Sequence, residues 1–473
     1  MNRYEPVPIR SYRECSTQKQ TRIAVLTVYD TAVELPHCSF WGSDIGSLIG
    51  VWVDICSFST AEMVLERADL SSYARDGSTP LSWAAKGGHE AVVKILLERG
   101  DVNPNATDRH GQAPLYIAAR EGHEGVVEML LERNDVNPNT TDGYGETPLF
   151  VAASGCQEGV VKMLLKREDV DPNIAEDSGK TPLFIAACEG YEGVVEMLLE
   201  RDDVNPNIAD QFGQTPLFIA AQEGHELVME MLLERNDVNP NTGNIDGQMP
   251  LCRAAREGYE GVVRMLLERD DVNPDAADDL GDTPLYGAAC EGREGVVKVL
   301  LECNDVNPNT AIKHGRTPLF GATYLGNEGV VKMLLERDDV NPNAAGDAGK
   351  TPLFRAAQEG HEGVVKMLLA REDTNINTAD ESGQTPLFGA AFEGHTGVVE
   401  MLLGRADINP NMTDLAGETA FSQALKRGRH AIVKLLSEHR NFIPPLDGDE
   451  FTALSAKEPF DLDQRPSKRI RRL

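Results

Sequence analysis

The stretch Gly145-Glu146-Thr147-Pro148-Leu149-Phe150-Val151-Ala152 recurs in near-copies along the chain. Its proline falls at Pro80, Pro114, Pro148, Pro182, Pro216, Pro250, Pro284, Pro318, Pro352 and Pro386, and the next slot holds Ala420. A period of 34 residues held without a slip excludes most architectures. One copy is too short to bury its own apolar side, so each copy needs a stacked neighbour, which makes the array a solenoid.

Each copy predicts two helices. Thr147 and its equivalents suit the N-cap, and proline suits the first helical turn, where its missing N–H costs nothing. That helix turns Leu149, Ala152 and Ala153 inward, the paired alanines allowing close approach. Glu121-Gly122-His123 supplies a glycine where the chain leaves the helix. The second helix, Gly125-Val126-Val127-Glu128-Met129-Leu130-Leu131, has a wide apolar stripe. Leu232 and Leu233 on one such stripe are both expected to be costly to truncate. Its outer face, as in Glu90-Lys94-Glu98, Glu260-Arg264-Glu268 and Glu328-Lys332-Glu336, has the spacing of helix-surface ion pairs. Asp135-Val136-Asn137-Pro138-Asn139 then stops the helix, and a projecting hairpin-like loop leads to the next Thr-Pro.

The pattern Gly-x-Thr-Pro-Leu-x-x-Ala-Ala-x-x-Gly-His-x-x-Val-Val-x-x-Leu-Leu, closed by Asp-Val-Asn, resembles the ankyrin repeat and is similar to the long arrays of filamentous fungi. The resemblance implies an all-α solenoid of stacked ankyrin repeats, each a helix-turn-helix with a projecting loop, that binds proteins through its hairpin tips and the concave side formed by the first helices. Two departures stand out. The histidine usual after Thr-Pro-Leu is replaced by Tyr116, Phe150, Phe184, Phe218, Tyr286, Phe320, Phe354 and Phe388, so ring packing must replace a threonine–histidine hydrogen bond. The units also have one residue more than the usual length, in the Val-Asn-Pro-Asn loop.

The ends read differently. Residues 1–57 are unassigned; an irregular cap on the array is expected there, and Leu35-Pro36 resembles the opening of an F-box, with His37-Cys38 in place of its acidic pattern. Met63-Val64-Leu65-Glu66-Arg67 marks a partial repeat over 58–76, and eleven fuller units run over 77–440. The last of them, with Lys426, Arg427, Arg429 and His430, reads as a C-terminal cap. Residues 441–473 read as a disordered tail with a basic end, and Lys468, Arg469, Arg471 and Arg472 fit a nuclear-import signal.

Charge and cysteine usage narrow the function. Of the formal charge of −31, nearly all lies in residues 58–440, which hold 34 basic and 64 acidic side chains. Such a body repels nucleic acid and anionic membranes. Eight cysteines without metal or disulfide spacing fit a reduced, intracellular setting in the cytoplasm, to which the import reading of the basic end adds the nucleus. The acceptor patterns Asn139-Thr140-Thr141 and Asn411-Met412-Thr413 would stay bare there.

No catalytic constellation, cofactor motif or metal motif stands out. His89, His123, His225, His361 and His395 repeat one slot in the inter-helix turn, which marks scaffold, and Cys188 and Cys290 share another slot three units apart. The remaining asset is surface, which implies a non-enzymatic, monomeric scaffold for a partner protein. Side chains differ most at the tips and in the slot after the ring. Tyr144, Phe212 and Leu280 stand out as apolar tips, and Arg253, Arg256 and Arg355 as basic groups in an acidic body. An alternative is a regulatory adaptor whose first 57 residues recruit ubiquitin-ligase or signalling machinery.

Overall fold

The computed structural model describes residues 77–443, in which 22 α-helices form eleven consecutive pairs and no strand occurs. The readings for residues 1–57, the partial repeat over 58–76 and the basic end lie outside the described residues. The chain divides into two compact units, Met1–Asp177 and Ser178–Leu473. The first contributes the helix pairs beginning at Pro80, Pro114 and Pro148; the second contributes the eight from Pro182 to Glu438. Within each unit the first helix of a pair packs on the first helices of its neighbours, and second helices do likewise, giving two layers with the core between them.

Local chemistry explains each helix start. In nine of the eleven pairs a threonine hydroxyl at the N-cap accepts the backbone N–H three residues on, as Thr351 does from Phe354 at 3.2 Å. Ala113 and Met249 replace threonine in the other two, leaving those helices without a side-chain cap. At the other end Gly190 (φ 73°) ends its helix in the left-handed region, and a Cβ there would meet the His225 ring at 2.7 Å. Backbone conformation and crowding both demand glycine.

The core follows the apolar pattern. Leu183, Ala186 and Ala187 of one helix, and Val194, Val195 and Leu198 of the next, are buried, as are their equivalents along the array except in the last pair, where Leu425 and Val433 are half-buried. The rings in the former histidine slot are buried too, Phe184, Phe218, Phe320 and Phe354 among the largest side chains fully enclosed. Tyr116 also uses its hydroxyl, which donates its one proton to the Glu146 carboxylate at 2.7 Å, with the Asp142 carboxylate 3.1 Å away in the same following loop. One expectation needs correcting: Leu232 is fully buried but Leu233 only half-buried, so the two leucines are unequal. The outer-face ion pairs form in part, for example Arg264 with Glu260 at 2.8 Å, where exposure keeps them weak.

Three polar links join successive pairs within a unit. In the first, the histidine slot reaches back to the end of the preceding first helix. His225, His361 and His395 place Nε2 2.9–3.1 Å from the carbonyls of Cys188, Tyr324 and Gln358, and a carbonyl only accepts, so the ring nitrogen donates. Asn327 and Arg429 do the same from this slot. Such donors satisfy carbonyls that a helix end leaves orphaned.

The second link is an arginine. Arg371 holds Asp373 in a two-pronged pair and sends its other nitrogen to the carbonyls of Leu335 and Arg337 at 3.1 and 2.9 Å. The third is the asparagine closing Val-Asn-Pro-Asn. Asn309 donates to the carbonyl of Asp339 at 2.7 Å and accepts the N–H of Asn341 at 2.8 Å. Asn207, Asn343 and Asn377 repeat both bonds. The lengthened loop thus builds an asparagine ladder.

Candidate functional site

Helix Pro250–Glu257 departs from its neighbours at the cap and at the ring. Met249 gives it no cap, and Cys252 replaces the ring, its thiol donating to the Ala276 carbonyl at 3.2 Å. Arg253 and Arg256 stand on its solvent side, with 29% and 43% of their side chains exposed. They are less free than their spacing implies. Arg253 pairs with Glu257 at 3.0 Å, and Arg256 approaches Glu291 of the next pair at 3.5 Å. The Nε of Arg253 is nonetheless shielded from solvent and has no hydrogen-bond partner. A small cleft opens beside these arginines, lined also by Cys252, Asp278, Asp282 and Gly287.

The electrostatics of this cleft are mixed. Asp278 accepts the N–H groups of Leu280 and Asp282 at 2.9 and 2.8 Å, and so belongs to the turn. Burial, followed by the charge of Asp278, raises the Asp282 carboxyl above its ordinary range against the opposing pull of Arg256 and Arg316. Burial pushes the Cys252 thiol up to about 12 and Cys290 up to about 11, so neither supplies a thiolate near neutrality. Among the described residues no group of three or more His, Cys, Asp or Glu side chains is placed to hold a metal.

The slot of Arg253 can be followed along the second unit. It reads Ile185, Ile219, Arg253, Gly287, Gly321, Arg355, Gly389 and Gln423. Two glycines therefore separate the arginines, and a Cβ on Gly287 would find only Arg256 near, at 3.6 Å. Arg355 leans over Tyr324 and Phe320, 5.2 and 5.9 Å from the ring centres, and donates to Gln358 at 3.2 Å. It too has a buried Nε without a partner.

The tips are as apolar as the sequence implies. In the second unit Phe212 and Leu280 are 48% and 58% exposed; in the first, Tyr144 is 69% exposed. Reading one column at a time missed Ile245, which is 64% exposed one position earlier in its own tip. Its N–H donates to the Phe212 carbonyl at 2.9 Å, so the two residues sit on adjoining tips. Exposed Tyr324 and Leu325, where most copies have a polar residue and glutamate, were missed for the same reason. The histidine column is structural, as expected. The adaptor reading rests on residues 1–57 and the import signal on Lys468, Arg469, Arg471 and Arg472, all outside the described residues.

A search of the curated proteins finds no match to the chain. No helix among the described residues is long and apolar enough to cross a membrane. The family model for ankyrin repeats in three copies matches residues 55–142, 134–210, 202–278, 271–345 and 338–414, an overlapping series covering most of the chain. By its paired helices, its stacked neighbours and this match, the chain belongs to the ankyrin-repeat family.

Proposed function

We propose that this protein is a non-enzymatic scaffold that holds a partner protein on the first-helix side of its second unit. Ankyrin repeats serve in general as protein-interaction modules. The observation that carries the finer reading is the pair Arg253 and Arg256, cationic donors in an acidic array, one of them with an Nε that nothing satisfies. A partner carboxylate or phosphate displaces Glu257 and Glu291 from these guanidiniums and gains charge-assisted bonds. Phe212 and Leu280 supply apolar contacts at the tips, and Arg355 a stacked cation beyond the two glycines. The many surrounding carboxylates repel other anionic proteins and sharpen choice. Tyr144 offers a separate apolar contact in the first unit.

Affinity capture with the full chain and with its Arg253→Ala/Arg256→Ala variant, each followed by mass spectrometry, tests this reading. The variant is expected to fold as the parent does and to lose the main partner. Capture of every partner at parental levels overturns the placement. The same protein is proposed to work inside the cell, with Lys468, Arg469, Arg471 and Arg472 directing nuclear import. A reporter fused to residues 455–473 that stays evenly spread between compartments rejects that role.

A further inference from the structure

We propose that the interface between the pair Pro250–Glu257 and Glu260–Leu267 and the pair Pro284–Cys290 and Glu294–Glu302 is a built-in joint, the place where the second unit opens first. Two of the three polar links fail there together. The ladder position holds Asp275 in place of asparagine. One carboxylate oxygen still accepts the N–H of Asn307 at 2.9 Å, but the other is buried without a partner, because a carboxylate cannot donate as the amide does in Asn309 or Asn343. The acceptor left unserved is the carbonyl of Asp305, whose equivalents Asp339 and Asp373 each receive an asparagine amide.

The second failure is Cys303. At this position Arg235, Arg269, Arg337, Arg371 and Arg405 each donate to the carbonyl ending the previous second helix, at 2.7–3.3 Å. Cysteine cannot span that gap, so the carbonyl of Leu267 loses its guanidinium. A third observation is independent of hydrogen bonding. Val272 and Pro274, immediately before Asp275, are only half-buried, whereas Val238, Val306 and Val340, and Pro240, Pro308 and Pro342, are buried. The loop is therefore less tightly covered where both links are missing.

The links on the other side of the interface persist. Arg293 Nε donates to the Arg256 carbonyl at 3.0 Å, and the tip bond from Asp279 N–H to the Asp246 carbonyl is intact at 3.1 Å. Loss at the second-helix loops and retention at the first helices and tips describes a joint that pivots on its inner side. A buried, unpartnered carboxylate oxygen adds a cost beyond the missing bonds. Repeat arrays open at their weakest interface, because stability is a sum over neighbour contacts.

Hydrogen exchange of the full chain, followed by mass spectrometry, tests the joint. Backbone amides of 301–309 should exchange at least about tenfold faster than those of 335–343, the factor for two links of ordinary net strength. Asp275→Asn with Cys303→Arg restores both donors and should slow 301–309 to the level of 335–343. The reciprocal change, Asn309→Asp with Arg337→Cys, should create a second fast segment over 335–343 in the same chain. Equal exchange of the two segments in the parent overturns the joint. So does a restored variant whose 301–309 segment exchanges as fast as before.

Discussion

Arg371 gives the sharpest test of what joins neighbouring repeats. Its side chain is only 18% exposed, and its guanidinium reaches the carbonyls of Leu335, Arg337 and Val340 at 3.1, 2.9 and 3.4 Å besides its pair with Asp373. A hydrogen bond from a charged donor contributes about 1.5–3 kcal/mol net. The three bonds share one cation, and the longest adds least, so the whole set is taken as about 2–3 kcal/mol. Asp373 is half exposed, and its ion pair is given no separate share. Arg371→Ala should therefore lower stability by about 2–3 kcal/mol, and Arg371→Lys by about 1–2 kcal/mol, since an ammonium keeps the charge but cannot span separate carbonyls. Urea unfolding followed by circular dichroism reads the total. Hydrogen exchange reads its location, which should be the loops at 335–341 and 369–375. If Arg371→Lys matches the parent, charge alone suffices and the fork geometry is irrelevant; if Arg371→Ala also matches, the arginine link contributes nothing.

Acid should weaken the array through the same residues. Asp135, Asp169, Asp237, Asp339, Asp373 and Asp407 are held below the ordinary carboxylate range, first by the hydrogen bond from the arginine two residues before each. A depressed folded pKa gives stability that is present above the unfolded value of about 3.9 and lost as pH falls through the folded value; urea midpoints should hold between pH 7 and 5 and drop below about pH 4, and a midpoint unchanged at pH 3 contradicts this. Leu232→Ala should cost about 2–5 kcal/mol while the half-buried Leu233 costs clearly less; equal losses in urea melts count against the burial difference. Met249→Thr should add about 1 kcal/mol by supplying the missing cap, and an unchanged or lowered urea midpoint means that the backbone there cannot use it.

The fold was legible because its signals are local and repeated. Thr-Pro starts, glycine stops and Val-Val-x-x-Leu stripes each need only a few neighbouring residues to be understood, and eleven copies make chance agreement untenable. The links between repeats were harder to see. Arg371 and Asp373 are two apart in sequence and look like an exposed pair, whereas the carbonyl that Arg371 serves belongs to Leu335, 36 residues earlier. Asn309 likewise reads as a turn residue until its amide is placed on the Asp339 carbonyl. Both signals were present as 34-residue columns, and backbone acceptors leave no trace in side-chain patterns. At the candidate site, Arg253, Arg256, Phe212 and Leu280 stand exposed or half-exposed as their columns implied. The Glu291 partner of Arg256 was not foreseen, because it comes from the next helix pair, whereas Glu257 stands at the four-residue spacing from Arg253 that a helix-surface pair requires.

The most direct measurement of the functional account is the dissociation constant of the main captured protein for the parent and for Arg253→Ala/Arg256→Ala. Each arginine is assigned at least about 1 kcal/mol of binding. Together they predict weakening of roughly thirtyfold, with an unchanged urea midpoint for the scaffold. An unchanged dissociation constant with a normally folded variant contradicts the account and moves the binding surface away from helix Pro250–Glu257.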